Sequence, residues 1–504
     1  MTLPPAPKTA KLNRELGLFS ASCLIVSLMI GSGIFVSAAN ALKNTGSVGM
    51  CLVIWTLCGV LSLLGALSFA ELSTVVPKSG GMFSFYQCAF SDLHRFWGPL
   101  PSFVYSWVRI MYLRPAEVAI TCLTCAEYSV RPFGQWLSGD LDTEFALKRA
   151  VSIAALCVVT LVNYSSVKCF VNVQNVFTTC KVLVCTLIII GGLRQLCLGN
   201  TVNLMTGFDG TTLTLKTFPI AFYSGLWAYE GWMASAVVVE EIKNPHRNVL
   251  LSIAIAVPFV TATYVLMNVS YMTVLSVSEM ISTPALVVEF GNRALGNFAW
   301  FGWVVSFGVA ITTFGCSLSI QFEATRLCFA SSREGQFPAI FSYVSVKRLT
   351  PAPAVFLQGL LAGICILCGD AISLIEFASF LCWMFYGFAM LALLVLRRTK
   401  PNAERPFKIP IIVPIFVLVA SVFLFLTPIF TDPRPRFLVG LALVLSAVLI
   451  YIPFVYFNYK LSVMDDFTAF VEKLLGVAPP ESDEPSTDMA VTAVGDNGQQ
   501  QSRF

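Results

Sequence analysis

Long apolar stretches, interrupted by short polar or turn-forming segments, organise almost the whole chain. Twelve of them run at 16–42, 46–75, 97–129, 146–167, 171–198, 215–239, 249–277, 297–330, 353–369, 371–396, 409–430 and 435–459. A helix needs about 20 apolar residues to cross a hydrocarbon core, and in lipid only a helix or a closed barrel satisfies its own backbone. The breaks between them carry turn and charge signals: Lys43-Asn44-Thr45-Gly46, Pro77-Lys78-Ser79-Gly80-Gly81, Lys243-Asn244-Pro245 and Arg397-Arg398-Thr399-Lys400-Pro401. The pattern predicts an all-α membrane protein of twelve transmembrane helices. A polar segment (1–15) precedes this domain (16–460), and its first apolar run reads as a span rather than a cleaved signal. Beyond it, Phe467, Phe470, Val471, Leu474 and Leu475 repeat at helical spacing. That predicts an amphipathic cytoplasmic helix over 461–478, lying along the membrane or under the bundle. Residues 479–504 are rich in Pro, Ser, Asp, Glu and Gln and hold too little apolar surface to fold.

Composition sharpens this picture. Of 504 residues, 56% are hydrophobic and 12% charged, about half the charge of an average soluble domain. A formal net charge of +4 gives no basic surface for nucleic acid. Two histidines, His94 and His246, leave few candidates for imidazole chemistry. Most of the 16 cysteines sit within apolar runs as small hydrophobes, with no paired CxxC spacing that would hold a metal. No nucleophile–base pair stands out, so neither a catalytic residue nor a cofactor is expected. Lys and Arg concentrate in the loops that lie on the side of the N-terminus, among them Arg333, Lys347, Arg348, Arg397, Arg398, Lys400, Arg405 and Lys408. The positive-inside rule then puts both termini in the cytoplasm.

Two spans carry breakers at their centres. The first contains Ile30-Gly31-Ser32-Gly33-Ile34, and each interior glycine costs a helix about 1 kcal/mol against alanine. Unwinding there frees N–H groups at the positive end of the following half-helix, a site for a carboxylate. The sixth contains Trp227-Ala228-Tyr229-Glu230-Gly231, where freed carbonyls accept from an ammonium and Glu230 brings a carboxylate near mid-membrane. Breaks in spans five apart are the signature of a transporter site built from 5+5 inverted repeats. Close helix packing explains the glycine pair of the first span equally well when that span is taken alone; the matched positions of the two breaks favour a binding site.

Charges inside spans are costly and usually functional. Lys181 lies about two turns inside the fifth span, where its ammonium stands in for a sodium ion beside the first break, or else snorkels to the membrane edge. Arg109, Arg114 and Glu117 in the third span have open roles. Arg114 and Glu117 are spaced to pair with each other, as are Glu323 and Arg326 in the eighth. Trp227 and Trp383 are candidates to wall a side-chain pocket, against the commoner packing role of membrane aromatics.

Ile30-Gly31-Ser32-Gly33-Ile34-Phe35-Val36-Ser37 resembles the first-helix motif of the L-type amino acid transporter family, the light subunits of heteromeric amino-acid transporters in the amino acid–polyamine–organocation superfamily. The resemblance continues through Gly65-Ala66-Leu67-Ser68-Phe69-Ala70-Glu71-Leu72, Val173-Gln174-Asn175-Val176-Phe177, Ser224-Gly225-Leu226-Trp227-Ala228-Tyr229, Glu240-Glu241-Ile242-Lys243-Asn244-Pro245, Ser332-Arg333-Glu334-Gly335 and Arg405-Pro406-Phe407-Lys408-Ile409-Pro410. It covers about residues 14–460 in order. It implies twelve helices in a 5+5 inverted repeat and sodium-independent exchange of amino acids across the plasma membrane. By motif, Gly31, Ser32 and Gly33, flanked by Ile30 and Ile34, would bind the substrate carboxylate, and the stretch from Trp227 to Gly231 its amino group. Trp227 resembles the family's gating aromatic, Lys181 its sodium-replacing lysine, and Trp383 a pocket wall.

Three departures from the family pattern matter. Glu230 stands where the branch for cystine and dibasic amino acids has Asp, which points to neutral plus dibasic substrates. Met233 replaces a common Asn and leaves side-chain preference open. The outer loop from Arg131 to Arg149 has no Cys, so the chain cannot make the loop disulfide that joins family members to a heavy chain. The ending Ser502-Arg503-Phe504 matches the short pattern that a PDZ domain captures, against a plain unstructured tail. The function expected is amino-acid exchange by alternating access; the alternatives are a uniporter and an amino-acid-sensing receptor with little transport.

Overall fold

A computed structural model describes residues 14–78, 80–130, 133, 141–212, 214, 217–283, 286–294, 301–368, 371–431, 435–459 and 462–479. The described residues are overwhelmingly helical. The first apolar segment is two helices, α1 (Leu18–Met29) and α2 (Gly33–Thr45), and the second is α3 (Val48–Val75). A short α4 (Met82–Phe90) precedes the third, in which α5 (Leu100–Val108) and α6 (Arg114–Val130) are joined by a π-helical turn, Arg109–Leu113. The fourth and fifth are α7 (Leu141–Ser165) and α8 (Val167–Cys197), followed by a single turn, α9 (Val202–Met205). The sixth is again two helices, α10 (Thr217–Ala228) and α11 (Ala234–Val237). The seventh is α12 (Pro245–Val274), with α13 (Val277–Ser282) and α14 (Leu286–Ala294) beyond it. Then come α15 (Phe301–Arg333), α16 (Ala352–Cys368), α17 (Ala371–Thr399), α18 (Ile412–Thr431) and α19 (Pro435–Tyr451), the last prolonged by a π turn.

Five of these helices are long and apolar enough to cross a membrane by themselves, and several shorter apolar helices accompany them. The distribution of side chains is that of a protein solvated by lipid. Leu187, Ile190, Val419, Leu445 and Leu449 point outward, whereas Glu71, Lys181, Glu241 and Arg326 are completely buried. Inside the bundle Glu241 pairs with Arg326 and Glu71 with Arg397, whereas Lys181 bonds the backbone and hydroxyl of Ser27. Glu71 takes a two-point grip from Arg397, Nε at 2.9 Å and Nη2 at 2.5 Å, together with the Ile409 N–H at 2.9 Å.

At one corner, Ser276 and Glu279 cap α13 reciprocally, and Arg293 of α14 donates to Glu279 at 2.8 Å. These bonds hold the Glu279 carboxyl at about 2, well below the usual range, with the Ser276 N–H the largest cause.

The amphipathic pattern after the last span forms α20 (Ser462–Leu475). Its Val471 and Leu475 pack on a cluster holding Ile340 and Ala352. A two-residue strand absent from the periodicity follows: β2 (Val477–Ala478) pairs antiparallel with β1 (Val344–Ser345). The tail ending Ser502-Arg503-Phe504 and residues 131–132 and 134–140 of the outer loop lie outside the described residues.

Candidate functional site

The two central breaks lie against each other. α1 stops at Met29 and α2 starts at Gly33, with no side-chain cap on the N–H groups at the head of α2. The second break runs from Tyr229 to Met233, around Gly231 at φ +115°, a conformation that L side chains rarely adopt. A Cβ on Gly33 would lie 2.7 Å from Ala228 Cα, and one on Gly231 would lie 2.5 Å from Leu28 Cβ. The glycines therefore do two jobs. They interrupt the helices, and they let one interruption press against the other.

Tyr264 of α12 fastens the pair together. Its hydroxyl lies 2.5 Å from the Met29 carbonyl and 2.9 Å from the Ala228 carbonyl, the last residues of α1 and α10. One proton is shared between two helix ends that would otherwise leave buried acceptors open. Sequence reading missed this residue. A Tyr in a long apolar run resembles packing, and only the fold brings it to both breaks.

Around the breaks, Ile30, Gly31, Gly33, Ile34, Ala228 and Gly231 are buried, while Ser32, Trp227 and Glu230 remain partly accessible. The Tyr229 side chain turns away from the break. It is fully buried, meets Tyr264 edge-on and Trp55 at a tilt, and donates to the Trp55 carbonyl at 3.0 Å. Its backbone belongs to the break and its ring to the core. Met233 is likewise fully buried. Trp383 packs edge-on against Tyr386 at 5.4 Å, and Tyr386 donates to both Glu230 oxygens at 2.7 Å. Trp383 thus reaches the site through Tyr386, a second residue the sequence did not announce.

Lys181 is fully buried, so its ammonium does not snorkel. It donates to the Ser27 carbonyl at 2.5 Å and to the Ser27 hydroxyl at 3.1 Å. Ser27 in turn donates to the Gly315 carbonyl and accepts from Ser319. The cation therefore sits near the C-terminal, electronegative end of α1, one turn before the break.

Behind Glu230 runs a line of buried charges. Arg109 Nη2 lies 3.5 Å from Glu230, and Arg109 Nη1 donates to Glu117 at 3.3 Å. Arg114 donates to Glu117 at 2.6 Å and to Glu323. The expected Arg114–Glu117 pair is present, but the expected Glu323–Arg326 pair is not. Glu323 turns to Arg114, and Arg326 grips Glu241 with Nε at 2.5 Å and Nη2 at 3.0 Å. The helix spacing allowed the local pair; the neighbouring spans offered each group a better-aligned partner. The π turn makes the line continuous. Its wider turn carries Arg109 to the face already occupied by Arg114 and Glu117, and such turns are frequent at functional sites.

The description "amino acid permease" fits residues 16–458 of the chain. The human b(0,+)-type amino acid transporter 1 is 41% identical over 479 residues, covering 95% of this chain and 96% of that one. The human cystine/glutamate transporter is 36% identical, covering 95% and 93%. The rat large neutral amino acids transporter small subunit 2 is 34% identical, covering 96% and 89%. With two facing helix breaks inside an all-α membrane bundle and matches of this extent, the chain belongs to the amino acid permease family, among the L-type amino acid transporters that its motifs resemble.

Proposed function

We propose that this protein is a sodium-independent amino-acid exchanger of the plasma membrane, with both termini cytoplasmic, that takes neutral and dibasic L-amino acids by alternating access. The observation that carries this reading is the contact between the two breaks at Gly33 and Ala228. An α-amino acid presents one carboxylate and one ammonium on a single carbon. The uncapped N–H groups of α2 suit the carboxylate, and the carbonyls of the Trp227–Gly231 turn suit the ammonium. Trp227 closes over the substrate, Trp383 bounds its side chain, and Glu230 draws a cationic side chain. Rocking of the bundle around this midplane site exposes it to each face in turn. Any heavy subunit is held without a disulfide through the Arg131 to Arg149 loop. Relatives with names such as "b(0,+)-type amino acid transporter 1" support transport rather than catalysis.

The test uses purified protein in liposomes without sodium. Labelled leucine and arginine are expected to enter vesicles preloaded with amino acid and not empty ones. Equal entry into empty vesicles would make the protein a uniporter, and binding without flux would make it a receptor.

The buried ammonium of Lys181 gives a second expectation. Lys181→Ala leaves the Ser27 carbonyl without its donor, and an unmet buried group costs about 1–3 kcal/mol. Exchange is expected to fall about tenfold or more, with the residual flux newly responsive to sodium. Unchanged flux with no sodium response would make the lysine a packing residue.

A further inference from the structure

We propose that Arg109 is a built-in competitor for Glu230, and that it sets how strongly the exchanger prefers a cationic side chain over a neutral one. This rests on the exchange reading above and adds to it the residue that tunes its substrate range.

The buried charges alternate in sign from the site inward: Glu230, Arg109, Glu117, Arg114, Glu323. The row begins and ends on a carboxylate, so three negative groups face two positive ones. Its outermost member is the one a substrate meets. Glu230 is 18% exposed, and Arg109 behind it 1%. A lysine or arginine side chain arriving in the site would extend the alternation by one positive charge.

Arg109 already stands on the other side of that carboxylate, and its hold is incomplete. Elsewhere in the molecule, Arg326 and Arg397 grip carboxylates with the paired donors Nε and Nη2, at 2.5–3.0 Å. In Arg109 these same two donors are buried and lack a hydrogen-bond partner. Nη2 approaches Glu230 to 3.5 Å without making a hydrogen bond, and the carboxylate is oriented instead by Tyr386. A small rotation of Glu230 away from Tyr386 would give Arg109 the two-point grip. A neutral substrate leaves Glu230 to that grip. A cationic substrate must hold Glu230 against it. Specificity is a difference of affinities, and here part of the difference is set by a competing side chain outside the substrate's reach.

Arg109 is separable from the rest of the row. Glu117 keeps Arg114 at 2.6 Å when Arg109 is replaced, and Glu230 keeps Tyr386. In preloaded liposomes, Arg109→Met is expected to raise the ratio of arginine to leucine uptake about tenfold, which corresponds to about 1.4 kcal/mol of differential affinity. Arg109→Lys retains the charge but not the two-point fork, and its ratio is expected to fall between those of the native protein and Arg109→Met. Glu230→Gln in the native background is expected to lower the ratio, and adding it to Arg109→Met should remove the gain. An unchanged or lower ratio in Arg109→Met overturns the proposal. If that variant does not fold, an unchanged ratio in Glu230→Gln overturns it. Native protein that fails to exchange leucine would instead refute the functional reading, so the two failures are distinguishable.

Discussion

Gly33→Ala is expected to abolish exchange, although it adds a single methyl group. That methyl would lie 2.7 Å from Ala228 Cα, 3.0 Å from its Cβ and 3.3 Å from its N. Backbone cannot rotate aside as a flexible side chain can, so the two breaks must separate. Overpacking in a tight core costs about 1–3 kcal/mol and occasionally more. Here separation also moves the uncapped N–H groups of α2 away from the Trp227–Gly231 turn, and it strains the Tyr264 bonds to Met29 and Ala228. A misplacement of about 1 Å in a positioned site can cost two orders of magnitude in rate. We therefore expect leucine exchange at or below about 1% of native, from protein that still elutes as a single species. Gly17→Ala is the control. It lies at the cap of α1 with nothing within 4 Å of the added methyl and an ordinary φ of −78°, and is expected to exchange normally. Native-like flux in Gly33→Ala would mean that the close approach of the breaks is not needed for transport.

The halves of this site differed in how far the sequence revealed them. Gly31, Gly33 and Gly231 were legible because glycine in the middle of an apolar helix has a cost that demands a reason. Lys181 was legible for the same kind of reason, since a mid-span cation is expensive. Tyr264 and Tyr386 were not legible, because each is a plausible packing aromatic until the fold shows what its hydroxyl reaches. The Arg109–Glu230 relation was hidden too. The residues lie far apart in sequence, and a π turn decides which face Arg109 occupies. The helical period found the apolar segments, but it gave no hint of the Val344–Ser345 pairing with Val477–Ala478, since two residues are too few to show alternation. Local spacing misled once, at Glu323 and Arg326, because i, i+3 geometry permits a pair without requiring it.

That misreading leads to the largest expected loss of stability. Arg326 and Glu241 are both fully buried, and the guanidinium lies 3.7 Å over the Phe322 ring while donating to Thr325 at 3.1 Å. Glu241 also belongs to the segment that anchors the start of the first span. Its carbonyl accepts from the Leu16 N–H at 3.0 Å, and Lys243 N–H donates to the Leu16 carbonyl at 2.8 Å. The pair thus joins the ends of the sixth and eighth spans beside the entry to the first. Replacing one member leaves the other charge buried with no counter-charge at its former partner's position, which costs about 3–5 kcal/mol. Arg326→Met is therefore expected to lower the thermal midpoint of the purified protein strongly, and Glu241→Gln to do so as well. The double variant Arg326→Met/Glu241→Met removes both charges and is expected to recover most of the loss, because an apolar pair of similar volume costs no desolvation. Its remaining deficit measures the cation–π contact and the Thr325 bond, which the pair's removal also takes away. If the double variant melts as low as Arg326→Met alone, the penalty comes from lost packing rather than from an orphaned charge.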